Sequence, residues 1–268
     1  MTSLHLTLRL NAASCLGFGA LLLVTPGAVA EALGTPPVWL LRTLGAGLIV
    51  NAAHLLLVAR KVRPDRRSVL WFATGDLVWW LATIVLVASG QWITTPFGQV
   101  AALAVGAGVA GLGVAQMFAL GRETTGLTTS GLWRRLGQSW SAMPLWVKLW
   151  LFALNGVFLA ALAFWPAPLA GMTLLAYVAS GPLLLGMAAL QGGLIRALGL
   201  AHLATYTPLL LWLLPQAGVG GPEAIFALVL SAALAICLGF DLWDLVRYLR
   251  GDRAPLGFPA ANAVTNYP

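Results

Sequence analysis

The stretch FATGDLVWW, residues 72–80, places a carboxylate, Asp76, inside an otherwise apolar run. Three more ionisable side chains share that setting: His54 in NAAHLLL, His202 in GLAHLATY and Asp241 in GFDLWD. An acid at the centre of a membrane helix costs about 2.5–3.5 kcal/mol on insertion scales, so such groups are expected to face a partner or water. Imidazole changes charge near neutral pH. Carboxylates together with histidines are therefore the chemistry of proton relay or of binding a small polar ligand. The amides Asn51 and Gln116 lie in similar runs and extend the candidate ligand-binding or proton-relay set. Trp79, Trp80 and Tyr206 are candidate cavity walls.

The elements that carry these groups follow from composition. Of the 268 residues, 60% are hydrophobic and 9% charged, against about 25% charged in a soluble domain. Lipid is the solvent this balance suits. A span needs about 20 apolar residues. Eight stretches qualify, at 7–25, 38–59, 68–89, 96–120, 145–165, 169–190, 194–214 and 223–249. Turn chemistry separates them, as in GTPP at 34–37 and WPAP at 165–168. The expected fold is all-α: a polytopic membrane protein of eight transmembrane helices. Residues 1–120 form a first four-helix unit, and 121–143 a cytoplasmic linker. Residues 144–250 form a second four-helix unit, and 251–268 a cytoplasmic tail. Within the linker, GLWRRLGQSWSAM (131–143) has the spacing of a helix lying on the membrane surface.

Basic residues set the orientation. RKVRPDRR at 60–67, Arg122, Arg134, Arg135, Arg247, Arg250 and Arg253 fall on one side, and only Arg42 on the other. The positive-inside rule puts both termini in the cytoplasm, and the net charge of +7 reads as a topology signal with anionic lipid as partner. Nucleic acid is excluded, since no basic stripe alternates with stacking aromatics on a soluble module. Trp39, Trp92, Trp165 and Trp212 mark one interface, and Trp133, Trp140, Trp146 and Trp243 the other. PLWVKLWLFALNGVFLAALAF and QGGLIRALGLAHLATYTPLL have the general look of bacterial inner-membrane proteins and of no particular family.

The two halves echo each other. ATGDLVWWLAT (73–83) aligns with GLAHLATYTPL (199–209), setting Asp76 against His202 and Trp80 against Tyr206. QMFALGR (116–122) aligns with DLWDLVR (241–247), setting Gln116 against Asp241. Four spans per copy is an even number, so a tandem repeat would be parallel, with an axis along the membrane normal. Ala107, Gly111 and Ala115 make a small-residue ridge suited to close helix packing.

By position along their spans, Asp76, His202, Asp241, His54, Asn51 and Gln116 share one depth in the half nearer the cytoplasm. They are expected to line one polar recess open to that side. Asp244 is expected to pair with Arg247 or Arg250, its neighbours on the helix. The leading functional expectation is a non-enzymatic binding or transport protein of the cell membrane. It would take a small solute or lipid headgroup, with proton linkage through the Asp–His set. The alternative is an accessory subunit of a larger membrane complex, whose partners would be proteins. The third is a haem or metal subunit, since His54 and His202 could supply axial ligands to haem. No Glu-x-x-His pair is present, so no metal centre and no cofactor is assigned. Cys15 and Cys237 read as small packing residues. Walker, GxSxG and HExxH motifs are absent, and no catalytic residue is named.

Overall fold

The computed structural model describes residues 3–218, 220–256 and 258. They fold almost entirely as helix, and the β feature among them is one antiparallel bridge, Gly34–Ile93. Among the described residues eight helical segments are long and apolar enough to cross a membrane, which suggests a multi-pass membrane protein. The chain divides into two compact units, Met1–Leu120 and Gly121–Pro268.

The first unit holds α1 (Ser3–Val24), α2 (Pro26–Leu33), α3 (Val38–Ala59), α4 (Arg66–Ser89) and most of α5 (Pro96–Thr125). The short α2 starts at a proline, where a missing N–H costs nothing; it occupies what the sequence reads as a turn. Asp65 caps α4 by accepting from the Ser68 N–H at 2.8 Å. Those hydrogen bonds hold its carboxyl down at about 2. The cap is intact above the ordinary carboxylate range and is lost only as pH falls through that value. The α2–α3 and α4–α5 connections are laced together: Thr35 N–H donates to Trp92 O and Thr94 N–H to Leu33 O, and the Thr95 hydroxyl donates to Ala32 O. Gly34 has φ +133°, and a Cβ there would lie 2.1 Å from Thr94 Oγ1, so this crossing requires glycine.

Close packing uses glycines other than the ridge read from sequence. A Cβ on Gly19 of α1 would lie 2.8 Å from Ile49 of α3, and one on Gly106 of α5 would lie 3.0 Å from Trp80. Gly111 has nothing within 4 Å among the described residues, and Ala107 beside it is exposed. The periodicity is right, but α5 is rotated so that 106 and 113, a heptad apart, meet α4. Helix α5 also outruns its expected end at 120. Its apolar stretch stops there, but the helix itself continues until Gly126 with φ +66°.

The second unit holds α6 (Thr129–Ala142), α7 (Leu145–Ala160) extended by a 3-10 turn to Phe164, α8 (Pro168–Gln191), α9 (Gly199–Leu213) with 3-10 turns before and after it, and α10 (Pro222–Leu249). Thr128 caps α6 through the Gly131 N–H. Trp133, Trp140 and Arg134 are exposed on α6. The unit's core joins Phe158, Leu169, Tyr206, Leu213, Leu230 and Leu234. Pro182 and Pro208 lie inside α8 and α9, which continue through them.

Asp244 does not pair along its own helix. It accepts from Arg196 at 2.6 Å, and Arg196 and Arg247 both donate to Asp252 at 2.8 Å. The five donors of the Arg196 guanidinium let it hold both acids at once, while Arg247 turns to Asp252. Leu256 N–H then donates to Leu194 O, so the start of the C-terminal segment is tied to the unit. Burial opposes ionisation of Asp252, but the hydrogen bonds and charges of Arg196 and Arg247 hold its carboxyl below the usual range. The tie is therefore complete at neutral pH and is lost as pH falls through that lowered value. An ion-pair arrangement of this exposure is worth up to about 1 kcal/mol. Arg196→Gln is expected to speed tryptic cleavage after Arg253 about fivefold at mildly alkaline pH. An unchanged rate would show that Leu256 and its neighbours, without the ions, hold the segment.

Candidate functional site

Three of the four ionisable candidates in the spans fall into two networks, Asp76 in the first unit and His202 with Asp241 in the second. In the first, Asp76 on α4 is buried, and its Oδ2 accepts from Asn11 Nδ2 on α1 at 2.7 Å and from Gln116 Nε2 on α5 at 2.8 Å. The chain continues: Cys15 Sγ donates to Asn11 Oδ1 at 3.7 Å, and Asn51 Nδ2 on α3 points to Cys15 Sγ at 3.5 Å. All four long helices of the unit thus contribute to one polar thread. Asn11 and Cys15, four apart on one face of α1, connect α3 to α4.

His54 does not join it. It is exposed, with its ring edge-on to Phe72 at 4.8 Å. Asn51 and His54 are three apart, so their directions differ by about 60° around the helix. That is enough to leave Asn51 half-buried and turn His54 outward. Trp80 is buried, and its indole nitrogen and Gln116 Oε1 have no hydrogen-bond partner among the described residues. Trp79 is half-buried, and its carbonyl accepts from Thr83.

In the second unit, His202 Nδ1 on α9 lies 3.1 Å from Asp241 Oδ2 on α10. Cys237, one turn before Asp241, donates to the same Oδ2 at 3.4 Å. The His202 ring stacks on Tyr206, with centroids 4.8 Å apart and planes 8° from parallel. The Tyr206 hydroxyl in turn meets Ser180 Oγ at 3.1 Å. Both ionisable side chains stay partly open, His202 at 18% and Asp241 at 16% exposure. Nearby, Tyr177 donates to Asn155.

The two networks are built alike. In the first unit GVAQ (113–116) faces Asp76: Gln116 donates to the acid, and a Cβ on Gly113 would lie 2.9 Å from the Asp76 Cβ. In the second GLAH (199–202) faces Asp241: His202 bonds the acid, and a Cβ on Gly199 would lie 2.8 Å from the Asp241 Cβ. Glycine lets the helices approach, and a polar residue three positions later, on the same face, reaches the acid. The acid lies on the earlier helix of the pair in one unit and on the later helix in the other. The sequence alignment of Asp76 with His202 and of Gln116 with Asp241 contains this exchange. The shared G-x-A-[QH] tetrapeptide was the signal that would have exposed it. Cys237 was missed because its partner Asp241 is four residues on and its partner His202 is on another helix.

A cavity of about 420 Å³ lies elsewhere in the second unit, lined by Leu169, Gln216 and residues 220–224. It is at the start of α10, about 28 Å along the helix from Asp241. Its carboxylate, Glu223, is not one of the candidate residues. No protein-family model, no curated protein and no solved structure matches this chain.

Proposed function

We propose that the chain is an integral protein of the cell membrane, with both termini in the cytoplasm, that binds or transports a small solute or lipid headgroup in a proton-linked manner. The centre of this activity is the His202–Asp241 pair, held by Cys237 and Tyr206. One observation carries the reading: an imidazole and a carboxylate in contact, within apolar helices, yet each still partly open. A polar pair kept only for packing would be closed over, as Asp76 is. Exposed Trp39 and Trp165 near one end of their spans, and Trp146 and Trp243 near the other, support the interface placement. The two units read as tandem copies of one four-helix ancestor, supported by the matching glycine–donor–acid arrangement. Asn51 and Gln116, with Asp76, would then be the scaffold copy of the site.

Proteoliposomes with an entrapped pH dye test this. A membrane potential, negative inside, is expected to draw in protons at a rate that His202→Ala and Asp241→Asn each cut at least tenfold, with Asp76→Asn retaining most of it. Equal rates in empty vesicles and in wild type would sink the proton-linked reading.

The closed thread through Asn51, Cys15, Asn11, Asp76 and Gln116 supports a second reading, an accessory subunit of a larger membrane complex. An acid that is buried and bonded by amides from two other helices holds those helices in register rather than taking a ligand. Stoichiometric protein partners retained in mild detergent would favour it.

A further inference from the structure

We infer that His202, Cys237 and Asp241 form a binding site for one divalent transition-metal ion of the zinc class. The inference rests on the proposed reading of the His202–Asp241 pair as the binding centre, but not on transport. The three groups offer a nitrogen, a sulfur and an oxygen, all within 4.8 Å of one another. Tetrahedral zinc, with bonds of about 2.1 Å to N and O and about 2.3 Å to S, sets its ligands about 3.4 Å apart for N···O and about 3.6 Å for the sulfur edges. The corresponding separations are 3.1 Å for His202–Asp241, 3.4 Å for Cys237–Asp241 and 4.0 Å for Cys237–His202. Each is within half an ångström of the edge it must become, so binding needs side-chain adjustment and no helix movement.

The surroundings are those of a ligand shell. Cys237 and Asp241 are one turn apart on α10, so both face α9. Tyr206 stacks on the imidazole and fixes its plane while the tyrosine hydroxyl is held by Ser180, the kind of outer support that orients ligating histidines. Gly199 clears the space that Asp241 occupies, since any Cβ there would lie 2.8 Å from both Cβ and Oδ1 of the acid. Cys237 is buried and closes one side. The partial exposure of His202 and Asp241 leaves the other side for a fourth ligand, water or a solute atom. Three protein ligands and one open position is the composition of a reactive zinc site rather than a closed structural one. A thiol among the ligands selects against magnesium and calcium, which take oxygen shells.

Without metal, the Cys237 S–H donates to Asp241 Oδ2 at 3.4 Å, and a carboxylate oxygen 3.1 Å from His202 Nδ1 favours the tautomer that carries its proton there. When the ion enters, the thiol proton is released to solvent as the Sγ–metal bond forms. The imidazole moves its proton to Nε2 and gives Nδ1 to the metal. Asp241 contributes its carboxylate. No electron is transferred.

The test is cobalt titration of the purified full-length chain in detergent, stripped with chelator. Wild type is expected to take up one Co²⁺ with a thiolate-to-cobalt charge-transfer band, displaced by Zn²⁺. Cys237→Ser should lose the band, and His202→Gln should weaken binding at least tenfold. Cys15→Ser should keep both. A band that persists in Cys237→Ser, or no saturable uptake by wild type, overturns the site. Zinc-edge X-ray absorption of the wild type needs no variant: one sulfur at about 2.3 Å with nitrogen or oxygen neighbours is expected, and a shell without sulfur overturns it. Absent proton uptake with an intact cobalt band ends the transport reading and leaves the metal site standing. Proton uptake without the band does the reverse.

Discussion

Replacing both donors to Asp76, in the variant Asn11→Leu/Gln116→Met, is expected to cost about 4 kcal/mol of stability in mixed detergent micelles. Two magnitudes compete for this outcome. Interhelical hydrogen bonds in membrane proteins average about 0.6 kcal/mol and reach about 1.7 kcal/mol, so simple loss of two would come to about 1–3 kcal/mol. Stranding a buried ionisable group without partners costs about 3–5 kcal/mol. The second wins here because Asp76 is only 7% exposed and both amides converge on one oxygen, Oδ2, at 2.7 and 2.8 Å. The triple variant, with Asp76→Ala added, discriminates. Removing every member of a buried polar group is far cheaper than removing its partners, so the triple should recover most of the loss. A triple variant as unstable as the double would mean that the damage is to packing, and a neutral double would mean that water serves the acid.

The spans were legible because the bilayer imposes a length. A run of about 20 apolar residues bounded by Gly-Pro turns has few other readings, and each expected stretch overlaps one of the eight apolar helices. What lay beyond was helix rotation. Sequence spacing tells which residues share a face, as with Asn51 and His54, but not which way that face turns; the structure leaves Asn51 half-buried and His54 exposed. The same ignorance hid the working glycines of α5, since Gly111 and Gly113 look equivalent until α4 is placed. It also hid the ion pairs. Asp244 has basic neighbours along its own helix, yet it bonds Arg196, 48 residues away, which only the placing of α9 beside α10 could reveal. Candidate acids could be found from composition, whereas their grouping into two networks needed coordinates.

Gly113→Leu should be strongly damaging, losing at least about 3 kcal/mol, while Gly111→Leu two residues away should be neutral or mildly stabilising. A Cβ at 113 would lie 2.9 Å from the Asp76 Cβ and 3.0 Å from Ala73 O. One of these obstacles is backbone and the other is the first carbon of a side chain held by two hydrogen bonds, so neither can swing aside. Overpacking alone costs about 1–3 kcal/mol. Here the strain must be relieved by moving α4 from α5, which also stretches the 2.8 Å bond from Gln116 to Asp76 and adds part of the cost of stranding the acid. At Gly111 a Cβ meets nothing within 4 Å among the described residues, so helix propensity decides the outcome, and it favours leucine over glycine by about 0.8 kcal/mol. Because the two variants add the same side chain to the same helix, hydrophobicity and insertion cancel between them. What is left is contact with Asp76. Equal unfolding midpoints for the two would place α5 in a different rotation and would dissolve the correspondence between GVAQ and GLAH on which the comparison of the two units depends.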